Sequence, residues 1–158
     1  MKALLIPAVR MKEKTAHLVP LSLLVVSLLE EAATVAEGNG SEFVFPSPRS
    51  EQDVPLDRHA FTLAMERIVT VLKLPRATPH DFRRTGATNL TGEQIGMPRF
   101  IVSQVIAHAG DTGGAAVVTG KHYDLNDYLP EKRKALDAWA RWLAAAVAVP
   151  NESAVSNN

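Results

Sequence analysis

A histidine and two arginines, residue types that hold phosphates, fall within one short stretch, "TPHDFRRTGATNL", residues 78–90. His80, Arg83 and Arg84 stand at i, i+3 and i+4, so on a helix the imidazole and at least one guanidinium share a face. Thr78 followed by Pro79 reads as an N-cap with proline at the first helical position, which starts the helix at His80. Asp81 suits the first turn of such a helix, and the positive helix end beside His80 suits an anion. Arg84 has a second option, a pair with Asp81 three residues earlier. Taken alone, the stretch reads better as a solvated basic face than as a phosphate site.

The charge balance restricts what surrounds it. Lys plus Arg and Asp plus Glu number 17 each, a net charge of zero, which argues against holding a polyanion by bulk electrostatics. A nucleic-acid site has to be a local patch, and Lys73, Arg76, His80, Arg83 and Arg84, opposed by Asp81, form one. The chain has no cysteine, so neither a disulfide framework nor a thiolate metal site is available, and a cytoplasmic setting is the default. With 158 residues, 46% of them hydrophobic, the chain is the size of one domain with a sizeable core.

The elements that must position these residues read as mainly α with a small β element in front. In "ALLIPAVRMKEKTAHLVPLS" two apolar runs flank the charged "RMKEK" tip, a β-hairpin pattern, although no Asn-Gly or Asp-Gly turn marks it. Pro20 ends the second strand, and Leu21 to Val35 form a first helix capped by Ser22. The apolar run Leu18 to Leu29 is 12 residues long and is followed by Glu30 and Glu31. That is short of the roughly 20 residues of a spanning helix, and a buried helix is expected instead of an export signal or membrane span.

A loop-rich connector follows, with an extended piece around Phe43 to Phe45. Phe61, Met65, Ile68 and Leu72 then recur at helical spacing, with Asp57 near the start, and predict an amphipathic helix packed on the core. After the opening stretch come a short helix from about Pro98 and the glycine-rich "GDTGGAAVVTG". That segment lacks the Gly-Lys-Ser/Thr ending of a phosphate loop and reads as a connector. In the last helix Leu129, Leu136 and Leu143 step by seven, with Trp139, Ala140 and Val147 filling the same face. Residues 1–149 form the folded part and 150–158 a disordered tail.

Four segments in order, "RMKEKTAHLVPLS", "TPHDFRRTGAT", "VSQVIAHAG" and "HYDLNDYLPEKRKALDAW", resemble the tyrosine recombinases, or phage-type integrases. They are similar to that family's hairpin-lysine segment, its His-x-x-Arg box, its second-histidine segment and its nucleophile segment. The resemblance covers most of residues 6–143 and implies a partial recombinase catalytic domain. It places the hairpin lysine at Lys12, eight positions before Pro20, with Lys14 as competitor; the box at His80 and Arg83; the second histidine at His108; and the nucleophile at Tyr123, with Tyr128 as alternative. Lys73, Arg76, Arg84 and Lys121 are the expected DNA-binding residues, and His17, His59 and His122 fit no motif.

The chemistry of this set stands apart from the name. A phosphodiester gains negative charge in a pentavalent transition state, which fixed guanidinium and imidazole donors stabilise. A tyrosine phenol has an unperturbed pKa of about 10 and must lose its proton as it attacks. The departing 5′-oxygen needs an acid, and a lysine on a hairpin tip can reach it. The resemblance implies a 3′-phosphotyrosyl intermediate, double-stranded DNA as partner, and no metal or other cofactor.

Family members also carry an earlier active-site arginine and a core-binding domain, and neither is expected here. The expectation is therefore a chain impaired in cleavage by several kcal/mol of transition-state stabilisation. An alternative is a non-catalytic protein that binds DNA, itself or full-length recombinases through the C-terminal helix. A metal-dependent hydrolase using His80, Asp81 and His108 is disfavoured, because adjacent ligands do not share a helix face.

Overall fold

A computed structural model describes residues 2–107 and 127–148. In chain order the described elements are strand β1 (Ala3–Ile6), a 3-10 turn (Ala8–Arg10), strand β2 (His17–Pro20) and helices α1 (Leu23–Gly38), α2 (Ala60–Val71), α3 (Pro79–Thr91), α4 (Arg99–Val105) and α5 (Leu129–Ala148). Mainly α with a two-stranded antiparallel sheet at the front is the class the sequence predicts. The chain divides into two compact units, Met1–Leu23 with Asn89–Asn158, and Leu24–Thr88.

The first unit is built on the hairpin. Ala3 pairs with Pro20, Leu4 with Val19, Leu5 with Leu18 and Ile6 with His17. One step beyond the strands, the Leu21 N–H donates to the Lys2 carbonyl at 3.1 Å. In an antiparallel ladder hydrogen-bonded and non-bonded pairs alternate, so Leu18 and Pro20 turn their backbone groups away from β1. Proline is tolerated there because its missing N–H costs no ladder bond. Pro20 is fully buried, and β2 packs on α5, which also packs on α4. Leu90, Ile101, Val102 and Ala135 complete the apolar core.

α5 buries a different face from the one its leucines predict. Its buried residues are Lys132 and Ala135, whereas Leu129, Leu136 and Leu143 are half-buried and Val147 is exposed. The small Ala135 lets the helix approach the sheet closely, and the stem of Lys132 fills the space beside it. Trp139 and Trp142 stack at 5.0 Å, and the Trp142 indole N–H donates to the Gln94 side-chain carbonyl.

In the apolar run 18–29 Pro20 ends β2 as the sequence predicts, but the helix after it is largely exposed, not buried. Leu18–Pro20 belong to β2, and α1 begins at Leu23 and runs to Gly38, not Leu21 to Val35. Ala36 is its buried residue; Leu23, Leu28 and Val35 are exposed. Pro20 separates a strand period from a helix period, so the run never forms one apolar face. In α2 the predicted core stripe likewise reduces to Met65, with Phe61, Ile68 and Leu72 exposed. None of the described helices is long and apolar enough to cross a membrane.

α1 and α2 end in the same motif with different residues. After α1 the Ser41 N–H reaches the Ala36 carbonyl (3.0 Å) and the Gly40 N–H the Glu37 carbonyl (2.9 Å), with Gly40 at φ 74°. After α2 the Leu74 N–H reaches Val69 (2.9 Å) and the Lys73 N–H reaches Thr70 (3.2 Å), with Lys73 at φ 52°. Both are Schellman ends, whose left-handed position favours glycine. Lys73 occupies it at a conformational cost of about 1 kcal/mol.

The connector between these helices is clasped by Asp53. Its carboxylate accepts the Ser41 hydroxyl and the Glu42 N–H (2.8 Å), which together hold its pKa below the usual aspartate value. Farther along, Pro46 bridges Pro55, with the Ser47 N–H on Val54 (2.9 Å) and the Leu56 N–H on Phe45 (2.8 Å). The extended piece expected around Phe43 to Phe45 is displaced: those residues bend, and the bridge falls at Pro46.

Candidate phosphate-holding site

The opening stretch folds as a capped helix. α3 starts at Pro79, one residue before the predicted His80. The Asp81 carboxylate accepts the Thr78 backbone N–H at 2.8 Å and the Thr78 hydroxyl at 2.7 Å, while the Asp81 N–H returns to the Thr78 carbonyl at 2.9 Å. This is one half of a capping box, with aspartate in place of glutamate: the carboxylate reaches back to the Thr78 N–H, while the Thr78 hydroxyl donates to that carboxylate and does not accept the Asp81 N–H. The Thr78 side chain, then the Thr78 backbone, hold the Asp81 pKa below its ordinary value, with smaller help from the Arg84 and His80 charges.

Asp81 is therefore engaged by its own cap. Arg84 lies 3.9 Å from the other Asp81 oxygen with both side chains solvent-exposed, a weak pair of the surface kind. His80 and Arg83 are exposed, three residues apart on the first turns of the helix. Phe82 stacks on Phe61 of α2 at 6.1 Å and 27°, with both residues exposed. Lys73 and Arg76 are exposed in the preceding segment, so the basic patch read from the sequence faces solvent.

The hairpin tip in the first unit carries the expected lysine. Between the strands, the 3-10 turn is followed by a turn closed by the Lys14 N–H on the Met11 carbonyl (3.1 Å). Lys12 is exposed in the middle of that turn, and Lys14, also exposed, closes it in a left-handed conformation at φ 52°. Tyr128, the alternative nucleophile, is half-buried and packs edge-on against Phe100 at 5.0 Å. His108, Lys121 and Tyr123 lie outside the described residues; α4 ends before His108, with Ala107 at φ 49°.

Residues 1–112 match the phage integrase family. The chain belongs to that family. It is 30% identical over 141 residues to the prophage integrase IntA of Escherichia coli K12, a span covering 89% of this chain and 31% of that protein. The chain thus spans about a third of the length of the curated relative it matches, and no solved structure matches it. Within the integrase family match lie Lys12, His80, Arg83 and His108, whereas Tyr123 falls beyond its last residue.

Other contributors escaped the sequence. His17, which fits no motif, places its Nε2 3.1 Å from the Val105 carbonyl and ties β2 to the end of α4. Lys132 and Arg133, to which the sequence assigns no role, reach the hairpin backbone. The Lys132 ammonium donates to the Leu18 carbonyl at 3.3 Å, and Arg133 donates to Leu21 at 3.2 Å and Lys2 at 3.1 Å. Burial lowers the Lys132 pKa, partly opposed by the Asp127 charge. The signal that could have found them is the outward-facing carbonyl row of a β2 edge closed by proline.

Proposed function

We propose that this chain is part of the catalytic domain of a site-specific DNA recombinase, residues 1–149, and cleaves and rejoins strands through Tyr123. The observation that carries the reading is the capped first turn of α3, which holds His80 and Arg83 outward while Asp81 is engaged by Thr78. The same cap lowers the Asp81 pKa and so keeps that carboxylate anionic, with its charge turned to the Thr78 N–H and hydroxyl.

Arg83 and His80 bind the non-bridging oxygens and stabilise the charge gained in the pentavalent state. The Tyr123 oxygen attacks phosphorus as its proton passes to a base, for which His108 is the candidate. The bond to the 5′-oxygen breaks, and Lys12 supplies the proton that the departing alkoxide needs. Reversal by a 5′-hydroxyl regenerates the phosphodiester and frees the tyrosine. Lys73, Arg76, Arg84 and Lys121 contact flanking phosphates. The half-buried packing of Tyr128 on Phe100 favours Tyr123 as nucleophile.

The test is adduct formation on a nicked duplex by the 158-residue chain, which is expected to be slow. Tyr123→Phe should abolish the adduct; an equal yield from that variant would sink the assignment, and a full-rate reaction by the parent would remove the expected impairment. The second reading, a non-catalytic DNA- or recombinase-binding protein, draws on the exposed last turn of α5, residues 144–148. Co-sedimentation with an intact integrase, lost on deleting that turn, would favour it.

A further inference from the structure

We infer that Arg133 is a positioning residue that sets the Lys12 hairpin, an inference resting on the reading of Lys12 as leaving-group acid. A two-stranded hairpin is at best marginal alone. This one has four residues per strand, and ten residues separate Ile6 from His17. Its long tip lacks the two-residue turn that fixes register in tight hairpins. Register has to be set at the open end.

The structure supplies a clamp there. Arg133 directs one terminal nitrogen to the Leu21 carbonyl on the β2 side and the other to the Lys2 carbonyl on the β1 side, which also accepts the Leu21 N–H. One planar guanidinium thus spans both arms of the hairpin where the ladder opens. Lysine has donors for two acceptors but lacks the planar fork that pre-sets their spacing. The Arg133 Nε is buried without a hydrogen-bond partner among the described residues, so the fork is held by its two ends. Lys132 grips the outer edge of β2 at Leu18, and His17 ties the tip end of the same strand to Val105. With these ties β2 is fixed at both ends, and Arg133 is the contact that joins β1 to it from α5. Slippage by one residue would turn every hairpin side chain to the opposite face. The clamp therefore dictates where the tip presents Lys12.

Two measurements on the 158-residue chain test this. Arg133→Ala should speed amide exchange at Leu4, Ile6, Val19 and Leu21 by about tenfold or more, the loss of a few hydrogen bonds' worth of local protection, with Ile101–Ser103 unchanged. Arg133→Lys should fall between. Cleavage is then compared on nicked duplexes with oxygen or sulfur at the bridging 5′ position, since a thiolate departs without a proton. Arg133→Ala should slow the oxygen substrate by about tenfold or more and leave the sulfur substrate near the parent rate, as loss of a general acid does. A purely structural role would slow both alike.

Lys12→Ala keeps the two ideas apart. If it slows neither substrate, or both equally, Lys12 is not the acid, and exchange alone decides the clamp. If it shows the sulfur rescue and Arg133→Ala does not, the positioning inference is overturned. Unchanged hairpin exchange in Arg133→Ala overturns it also, including for a chain that cleaves neither substrate.

Discussion

The hairpin unit and the Leu24–Thr88 unit divide their residues in opposite ways. The first buries Pro20, Leu90, Ile101, Val102 and Ala135, and even spends two cations of α5 on backbone carbonyls. The second buries Ala36 and Met65 and exposes Phe61, Ile68 and Leu72 beside His80, Arg83, Lys73 and Arg76. In the first unit Lys132 and Arg133 serve as mortar while Lys12 and Lys14 are exposed, and in the second Lys73, Arg76, His80 and Arg83 are exposed. A basic residue's role therefore follows from what backbone lies within its reach, not from its place in a charged run.

The sharpest way to break that contrast is a charge change in the outward-facing unit. Arg83→Ala is expected to lower adduct formation by roughly 100- to 1,000-fold, the size of losing an oxyanion donor. Its effect on stability should stay within about 0.5 kcal/mol, as for an exposed site. A large fall in melting temperature with little change in rate would make Arg83 mortar too.

Isoleucines offer a matched pair for stability. Ile101 is 9% exposed and Ile68 55%. Ile101→Ala should cost about 3 kcal/mol in urea unfolding, and Ile68→Ala no more than about 0.5 kcal/mol. Equal costs would show that the α2 face is covered in solution.

Lys73→Gly should separate geometry from charge. It relieves the left-handed strain at the end of α2, a gain of about 1 kcal/mol, while the salt dependence of DNA binding should fall by about one phosphate contact. An unchanged salt slope would remove Lys73 from the interface.

The smallest effects are those of pH. Asp81 has a folded pKa below its ordinary 3.8, so its contribution is present above that value and is lost as pH falls through the lowered folded one. Thr78→Ala should flatten this acid limb and cost about 1 kcal/mol at neutral pH. Lys132 behaves in the opposite range. Its folded pKa is lowered from 10.5, so the unfolded chain holds more protons in the window between the two values and stability from this group rises with pH there. Lys132→Met should abolish that rise; a persisting one would assign it elsewhere.

These contrasts also explain what the sequence made legible. The hairpin was readable because two apolar runs flank a charged tip, and the α3 cap because Thr78, Pro79 and Asp81 interact within four residues. Local chemistry leaves local marks. Lys132 and Arg133 were not readable, because their acceptors, Leu18, Leu21 and Lys2, lie more than a hundred residues away. In the run Leu18 to Leu29 the strand end at Pro20 was legible, but the burial was not: the helix after it buries Ala36 and exposes Leu23 and Leu28. Of the residues expected to form a site, His80 and Arg83 lie on a helix start and Lys12 on a hairpin tip, while His108 and Tyr123 fall outside the described residues.

The stacked tryptophans of α5 have an optical consequence. Both tryptophans of the chain sit on that helix with their rings 5.0 Å apart. Indole emission therefore reports on the hairpin unit alone, and rings so close should give a coupled signal that vanishes when α5 unwinds. Loss of helix in residues 24–88 would be dark to fluorescence yet plain in far-ultraviolet circular dichroism. Superimposable melting curves from the two signals would mean that the two units unfold as one, and separated curves would give each its own melting temperature.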